Sequence, residues 1–307
     1  MAPRIKRPRS PTPSLGDIAS PFPDYPHPTP TEAAEVHALL SATHPDLAKR
    51  PRVPSEANDS ARTCGSVPNV LESLIGTILS QNTSSRNSMA AKRGLDAAFG
   101  RNNFAAIADA KTADVVEAIK TGGLANKKAG VIQKILAEVH RRHGAYSLQH
   151  LAGADVKGKG KAAGGAPASD EAAMQELVSY DGVGPKTASC VLLFCLGRSS
   201  FPVDTHVFRL SRLLGWVPQK ADRVTAQAHL DLTIPDDLKY GLHVLMVGHG
   251  RRCKGCKGAG GGKGAPCVLK TWLRERKGAK EEELEAKIED VERSDALATL
   301  LPVKAED

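Results

Sequence analysis

The sequence has no apolar run near the roughly 18 uninterrupted residues that a membrane span requires, and its start is basic and proline-rich without an apolar stretch. A membrane-spanning or secreted protein is therefore not expected. Cysteine is scarce: Cys64, Cys190, Cys195, Cys253, Cys256 and Cys267 are scattered over 307 positions. That is too few for a disulfide scaffold in a chain this long, so reduced thiols with room for a metal site near the end are the reading. Apolar residues almost never alternate with period two, which argues against a sheet and for an all-α fold. Acid is short as well, except at the end. The last 27 residues hold ten Asp or Glu against three Lys or Arg, so with a total of +8 the other 280 carry a net +15. Such an excess favours a polyanionic partner, because each cation that meets a phosphate releases condensed counterions.

Residues 1–28, rich in Pro, Ser and Arg, have little to bury and are expected to be disordered. Among them Arg4, Lys6, Arg7 and Arg9 read equally as a nuclear address or as a solvated basic tail. Folding should start at Thr29-Pro30-Thr31-Glu32, where a capping threonine, a proline at the first helical position and a glutamate three residues after the cap predict a helix to about Ala42. An irregular stretch through Pro51 and Pro54 runs to Ser66. From Val70, the spacing of Leu71, Leu74, Ile75, Ile78 and Leu79 by threes and fours is the apolar stripe of a core helix. Helical patterns continue over 85–99, 103–110, 112–119, 126–142 and 170–179, then over 187–196, 205–214, 220–230 and 235–247. Residues 157–169, mostly Gly, Lys and Ala, read as a flexible insertion that splits the domain without ending it. Residues 276–307 form a charged tail whose Glu281 to Arg293 stretch is a solvated helix or unfolded.

The most informative stretch is Asp181-Gly182-Val183-Gly184-Pro185-Lys186-Thr187-Ala188, between two helical patterns. Two glycines flanking one apolar residue make a tight turn, with Val183 directed into the core and the glycines exposing backbone N–H groups. At a helix start those donors and the dipole favour an anion, and a DNA phosphate fits. An ordinary glycine-containing loop is the other reading. Lys186 stands just inside the second helix, where the positive dipole end disfavours a further charge, and a neutral amine is a nucleophile. Asp204 follows in Phe201-Pro202-Val203-Asp204-Thr205-His206, where it can cap the helix beginning at Thr205. Read singly, Lys186 is a surface lysine for phosphate and Asp204 an N-cap.

Taken together, these residues resemble the helix-hairpin-helix (HhH-GPD) base excision glycosylases typified by endonuclease III, and within them a plant and fungal group. The likeness runs from about Pro21 to Leu273, through Pro21-Phe22-Pro23-Asp24, Leu79-Ser80-Gln81-Asn82-Thr83, Thr121 to Ala129, the hairpin and the Asp204 turn. It implies an all-α protein of two helical lobes with the active cleft between them, one lobe over 68–197 and the other combining 29–67 with 198–275. It further implies a DNA N-glycosylase with Lys186 and Asp204 catalytic. After base flipping, Asp204 would stabilise charge developing on the sugar, and Lys186 would attack C1′, leaving a Schiff base from which β-elimination cuts the strand. Gly182, Val183, Gly184 and Thr187 would hold the DNA backbone, and Gln81 would fill the gap left by the flipped nucleotide. The Thr121 to Ala129 loop would contact DNA or pack tightly. Implied partners are double-stranded DNA with damaged, chiefly oxidised, bases or abasic sites, met by a monomer in the nucleus or mitochondrion. A monofunctional glycosylase and a non-catalytic hairpin protein are the rival readings.

Endonuclease III relatives commonly close with four cysteines that hold a [4Fe–4S] cluster after a His-Gly-Arg segment. Here His249-Gly250-Arg251-Arg252 precedes Cys253, Cys256 and Cys267, with no fourth cysteine nearby. The chemistry itself needs no cofactor. The ligand count leaves three readings: no metal, a three-cysteine or mixed iron–sulfur cluster, or zinc held with His249. Cys190 and Cys195 lie in a helical pattern and read as core.

Overall fold

The computed structural model describes residues 19–49, 66–152, 168–256, 266–276 and 278, and among them there is no strand. The basic cluster at residues 4–9, Cys64, most of the 157–169 insertion and nearly all of the charged tail lie outside the described residues. No described helix is long and apolar enough to cross a membrane. The helices are α1 (Pro30–Thr43), α2 (Pro45–Ala48), α3 (Val70–Leu79), α4 (Ser85–Phe99), α5 (Phe104–Asp109), α6 (Thr112–Ile119), α7 (Ala125–His143), α8 (Asp170–Ser179), α9 (Pro185–Phe194), α10 (Thr205–Leu213), α11 (Arg223–Thr233), α12 (Asp236–Arg252) and α13 (residues 268–276).

Local chemistry explains most boundaries. At α1, Thr29 Oγ1 accepts from the Glu32 amide at 3.2 Å while the Thr29 amide donates to Glu32 Oε2 at 2.9 Å, a reciprocal capping box. Asn69 and Ser84 cap α3 and α4 by the one-sided form of this bond, each side chain accepting from the amide three residues on. Helix α11 starts at Arg223 and not at Lys220, because Asp222 and Thr225 form a second capping box. Helix α12 continues five residues beyond Val247, through two glycines that stand where its neighbours leave no room for a side chain. A Cβ on Gly248 would lie 2.0 Å from Leu47 Cδ1, and one on Gly250 would lie 2.8 Å from His206 Cβ.

Two apolar cores form. The first gathers Leu71, Leu74, Ile78, Ile132, Leu136 and Val191, with others from α3 to α9. The second gathers Val36, Leu40, Phe201, Leu210, Trp216 and Leu245, from α1, α10, α11, α12 and α13. A small third cluster joins them, with Cys190, Leu193 and Phe194 of α9 against Tyr240 and Val244 of α12 and Leu47 of α2 alongside. Helix α9 thus packs into both sides.

Residues 19–28, expected to be disordered, are instead ordered. Residues 19–28 lie against the second core: Ser20 Oγ meets His229 Nδ1 at 2.6 Å, the Tyr25 hydroxyl donates to the Gly215 carbonyl at 2.6 Å, and Phe22 stacks edge-on against His229. Phe22 and Tyr25 supply the apolar surface that a proline-rich composition conceals.

The first core also contains charge. Glu72, 2% exposed, accepts from Lys92 at 3.1 Å, from Arg101 Nε at 2.9 Å and from Asn102 at 3.3 Å. Burial raises the Glu72 carboxyl, but Arg101 and Lys92 outweigh it and hold it below the usual carboxylate range.

Candidate active site

The hairpin turn has the form its sequence suggests. Val183 is 1% exposed and its amide donates to the Tyr180 carbonyl at 3.1 Å. The two glycines differ in kind. Gly182 has φ +84°, and a Cβ there would lie 2.7 Å from Val131 Cγ1, so both backbone and packing demand glycine. Gly184 is extended at φ −102°, and a Cβ would meet nothing within 4 Å. Its role is not internal packing. Pro185 starts α9, the Thr187 and Ala188 amides turn back to the Gly184 carbonyl, and Lys186 projects from the first turn.

Asp204 caps α10, with Oδ1 accepting from the His206 and Val207 amides at 2.8 Å each. The turn that presents it is tied at three points from later in the chain. The Phe201 amide donates to Asp231 Oδ1 at 2.6 Å, the Val203 amide donates to Gln227 Oε1 at 3.2 Å, and His243 Nδ1 donates to the Pro202 carbonyl at 2.8 Å. The last assignment follows because a carbonyl can only accept. Ser189 of α9 and Ser200 add a buried hydroxyl contact at 2.6 Å. None of these tethers was visible as a linear motif.

Lys186 and Asp204 line one cleft of about 690 Å³, together with Gln81, Thr187, Gln227 and His243. Burial pushes the Asp204 carboxyl up, yet the charge of His243, the Val207 amide and the charges of Lys186 and His206 together leave it lowered. Asp204 is thus an anion at neutral pH in the field of Lys186. Its N-cap role and its place facing the cleft coexist, since the cap occupies only Oδ1. His243, buried between Phe194 and Phe201, is the residue sequence reasoning missed; its signal would have been a histidine 39 positions from Asp204, which no local pattern connects.

Gln81 follows the end of α3, and its Nε2 donates to Thr187 Oγ1 at 3.1 Å, so the proposed wedge touches the hairpin helix. Lys128, 3% exposed, donates to the Leu79 carbonyl at 2.8 Å and to the Gly122 carbonyl at 2.9 Å, locking the Gly122–Lys128 loop to the segment that carries Gln81. A Cβ on Gly122 would lie 2.9 Å from Ala91 Cβ, so this loop packs tightly. Leu124 in the same loop is left-handed at φ 52° and 54% exposed, an apolar side chain held outward at a conformational cost.

Away from the cleft, His249, Cys253, Cys256 and Cys267 converge, one ligand atom of each lying within 4.8 Å of all the others. A four-iron cluster requires four thiolates as a rule. Three are present, and the fourth donor is an imidazole.

Comparison with known proteins agrees with this architecture. Residues 75–235 match the family model of the HhH-GPD superfamily base excision DNA repair proteins. An Arabidopsis thaliana protein described as a DNA glycosylase is 36% identical over 260 residues, covering 80% of this chain and 83% of the relative. Endonuclease III of Sulfolobus acidocaldarius is 28% identical over 199 residues, covering 64% of this chain and 80% of that one. Among solved structures, endonuclease III in a non-covalent complex with DNA superposes with a TM-score of 0.56 at 20% identity, covering 80% of this chain and 99% of the other, a likeness of fold. The chain belongs to the HhH-GPD superfamily of base excision DNA repair proteins, and it is an enzyme of the endonuclease III-like DNA glycosylase class.

Proposed function

We propose that this enzyme is a bifunctional glycosylase and AP lyase that removes damaged, chiefly oxidised, bases from duplex DNA through a Lys186 Schiff base. The observation that carries the reading is the pairing of Lys186 and Asp204 across one cleft, on a lysine-bearing helix and a carboxylate-bearing turn that are tied together. The flipped nucleotide enters between them. As the bond from C1′ to the base nitrogen lengthens, positive charge grows on the sugar and the Asp204 carboxylate opposes it. Lys186 gives up its ammonium proton and the amine so freed bonds to C1′, the base departs with the electron pair of its bond to C1′ and takes up that proton, and opening of the ring leaves an iminium. Loss of a C2′ proton then expels the 3′ phosphate and nicks the strand.

The remaining groups grip the duplex. The hairpin turn and the start of α9 seat a phosphate, since Gly184 leaves open space where any other residue would place a Cβ. Gln81 fills the gap in the stack, and Leu124 is suited to press between bases from the neighbouring loop. The polar lining by Gln81, Thr187 and Gln227 suits a base with carbonyl and amide edges. A monomer supplies all of these groups, and the nucleus is the compartment the substrate favours.

Borohydride trapping on duplexes containing an abasic site tests the chemistry. The expected result is a covalent adduct that disappears in Lys186→Ala. Base release without an adduct would make the enzyme monofunctional, and binding without either would make it a non-catalytic hairpin protein. A panel of duplexes with single defined lesions then identifies the base.

A further inference from the structure

The Cys/His cluster closes the second core at the end of α12, and its dimensions choose between the metals that its sequence leaves open. His249 Nε2 lies 3.2 Å from Cys256 Sγ and 3.5 Å from Cys267 Sγ, and those two sulfurs are 3.0 Å apart. With Cys253 Sγ included, every separation is within 4.8 Å. A single tetrahedral ion with bonds of about 2.3 Å to sulfur and about 2.0 Å to nitrogen sets its ligand atoms roughly 3.5 to 3.8 Å apart. A cuboidal four-iron cluster seats each ligand on a different iron, which spreads the ligand atoms to about 6 Å. The four atoms here would have to move apart by more than an ångström to accept that cluster. A single ion needs shifts of at most about an ångström, with the sulfur pair at 3.0 Å opening to about 3.8 Å.

We propose that His249, Cys253, Cys256 and Cys267 hold one zinc ion in a closed structural site, and that the four-iron cluster implied by the family resemblance is not accommodated in this chain. Zinc suits three thiolates and one imidazole because it takes nitrogen and sulfur donors in a four-coordinate site without further demands on geometry. The surroundings are those of a ligand site. With Nε2 directed at the sulfurs, His249 Nδ1 carries the proton and donates to His44 Nε2 at 2.9 Å, the outward hydrogen bond that orients metal-bound imidazoles. Arg209 donates to the Cys256 carbonyl and, at 3.1 Å, to the Gly250 carbonyl, so it clamps both sides of the ligand loop. Its charge also offsets the single negative charge of three thiolates around a dication. A Cβ on Gly255 would lie 3.0 Å from Cys267 Cβ, so glycine is what lets the two cysteine segments approach. His249, Cys256 and Cys267 are 2%, 6% and 4% exposed and Cys253 is half-buried, and four protein ligands fill the tetrahedron of a closed site. The role is to fasten α13 to the end of α12.

Full-length protein expressed with both zinc and iron in the medium and purified with reductant provides the test. The expected result is one zinc per chain, iron below a tenth of an equivalent, and no absorption near 400 nm. Exchange for Co2+ should give the intense d–d bands of a tetrahedral thiolate site at about 600 to 750 nm. Cys267→Ser should lower zinc occupancy after dialysis against a chelator at least tenfold, whereas His249→Cys should keep the ion and shift the cobalt bands to those of four thiolates. Chelation should lower the melting temperature of the parent protein. About four irons with equivalent sulfide and a broad visible band would overturn the proposal. So would a metal-free protein whose three thiols react at the same rate with and without added zinc, or one carrying a Cys256–Cys267 disulfide. The metal count of the parent protein decides the matter even if the variants fail to fold.

Discussion

Asp204 carries two duties that substitution can separate. Its Oδ1 caps α10 through the His206 and Val207 amides, while its negative charge acts toward Lys186 and the cleft. Asparagine retains a capping oxygen and removes the charge; alanine removes both. An N-cap is worth about 1 kcal/mol, which for a domain of this size corresponds to roughly 2 to 4 °C in melting temperature. Loss of a preorganised charge that opposes charge growing in the transition state costs about 10²- to 10³-fold in rate, or roughly 3 to 4 kcal/mol. Asp204→Asn should therefore release base at least a hundredfold more slowly and lose only the stability that the lowered carboxyl contributes at neutral pH. Asp204→Ala should be as slow and also melt about 2 to 4 °C lower.

The assay is single-turnover base release with enzyme in excess, read beside thermal unfolding of the same preparations. Binding to a duplex with an uncleavable abasic analogue controls for loss of the complex, and neither variant should weaken it as much as it slows release. If Asp204→Asn keeps a rate within threefold of the parent, the carboxylate is a cap and nothing more. If Asp204→Ala melts with Asp204→Asn, the two amide bonds at 2.8 Å do not stabilise α10 as their geometry requires.

Lys92→Met strips the buried Glu72 of one cation and should cost about 3 kcal/mol in denaturant unfolding; the double variant with Glu72→Gln should recover part of it. Gly182→Ala meets both a positive φ and the Val131 side chain, so it should destabilise by about 1 to 3 kcal/mol. Gly184→Ala should leave the melting temperature unchanged and weaken binding to abasic duplex at least threefold by anisotropy, and equal affinity would remove the hairpin from the phosphate grip. Glu32, Glu72 and Asp204 all have carboxyls lowered by folding. The stability they contribute is complete above their unfolded values near pH 4 and is lost as pH falls through the lowered folded ones. The melting temperature should thus drop below about pH 4, and a flat profile there would contradict the three environments.

What could be read in the sequence was whatever is settled within one turn of chain. The apolar stripe from Leu71 to Leu79, the capping box at Thr29, the inward Val183 and the cap at Asp204 each depend on neighbours three or four residues away. What escaped depends on partners that folding brings from elsewhere. Glu72 sits within an apolar helix and would have looked like an exposed position, yet Lys92 and Arg101, 20 and 29 residues later, make it a buried anion. The strap of residues 19–28 was concealed by its composition, and its anchors, Gly215 and His229, lie about 200 residues away. The pairing of Lys186 with Asp204 was legible only through resemblance; the ties that hold the pair in place were not legible at all.

Those ties bear on how a two-lobed enzyme keeps its chemistry aligned while it grips DNA. Lys186 belongs to α9, whose Ala188, Val191 and Leu192 pack into the first core, whereas Asp204 leads α10 into the second. If the lobes shift when DNA binds, a pair held on opposite walls would change its spacing unless the segment between them is stiff. The segment is short and cross-linked: Ser189 meets Ser200, and the Arg198 amide returns to the Leu192 carbonyl at 2.9 Å. Arg198 also reaches the Ser169 carbonyl at 3.2 Å, fixing the turn to the first lobe. Lobe motion about α9 would then displace Gln81 relative to α12 while the lysine and the carboxylate move together. Ser189→Ala tests this, because it leaves the buried Ser200 hydroxyl without its partner and loosens the link at a point remote from DNA. The expected outcome is a base-release rate lowered about tenfold with abasic-duplex affinity within twofold of the parent, and Ser189→Thr should restore part of the rate by restoring a hydroxyl. Equal losses in affinity and rate would mean that the serine pair supports the whole cleft and not the spacing of the two reacting groups.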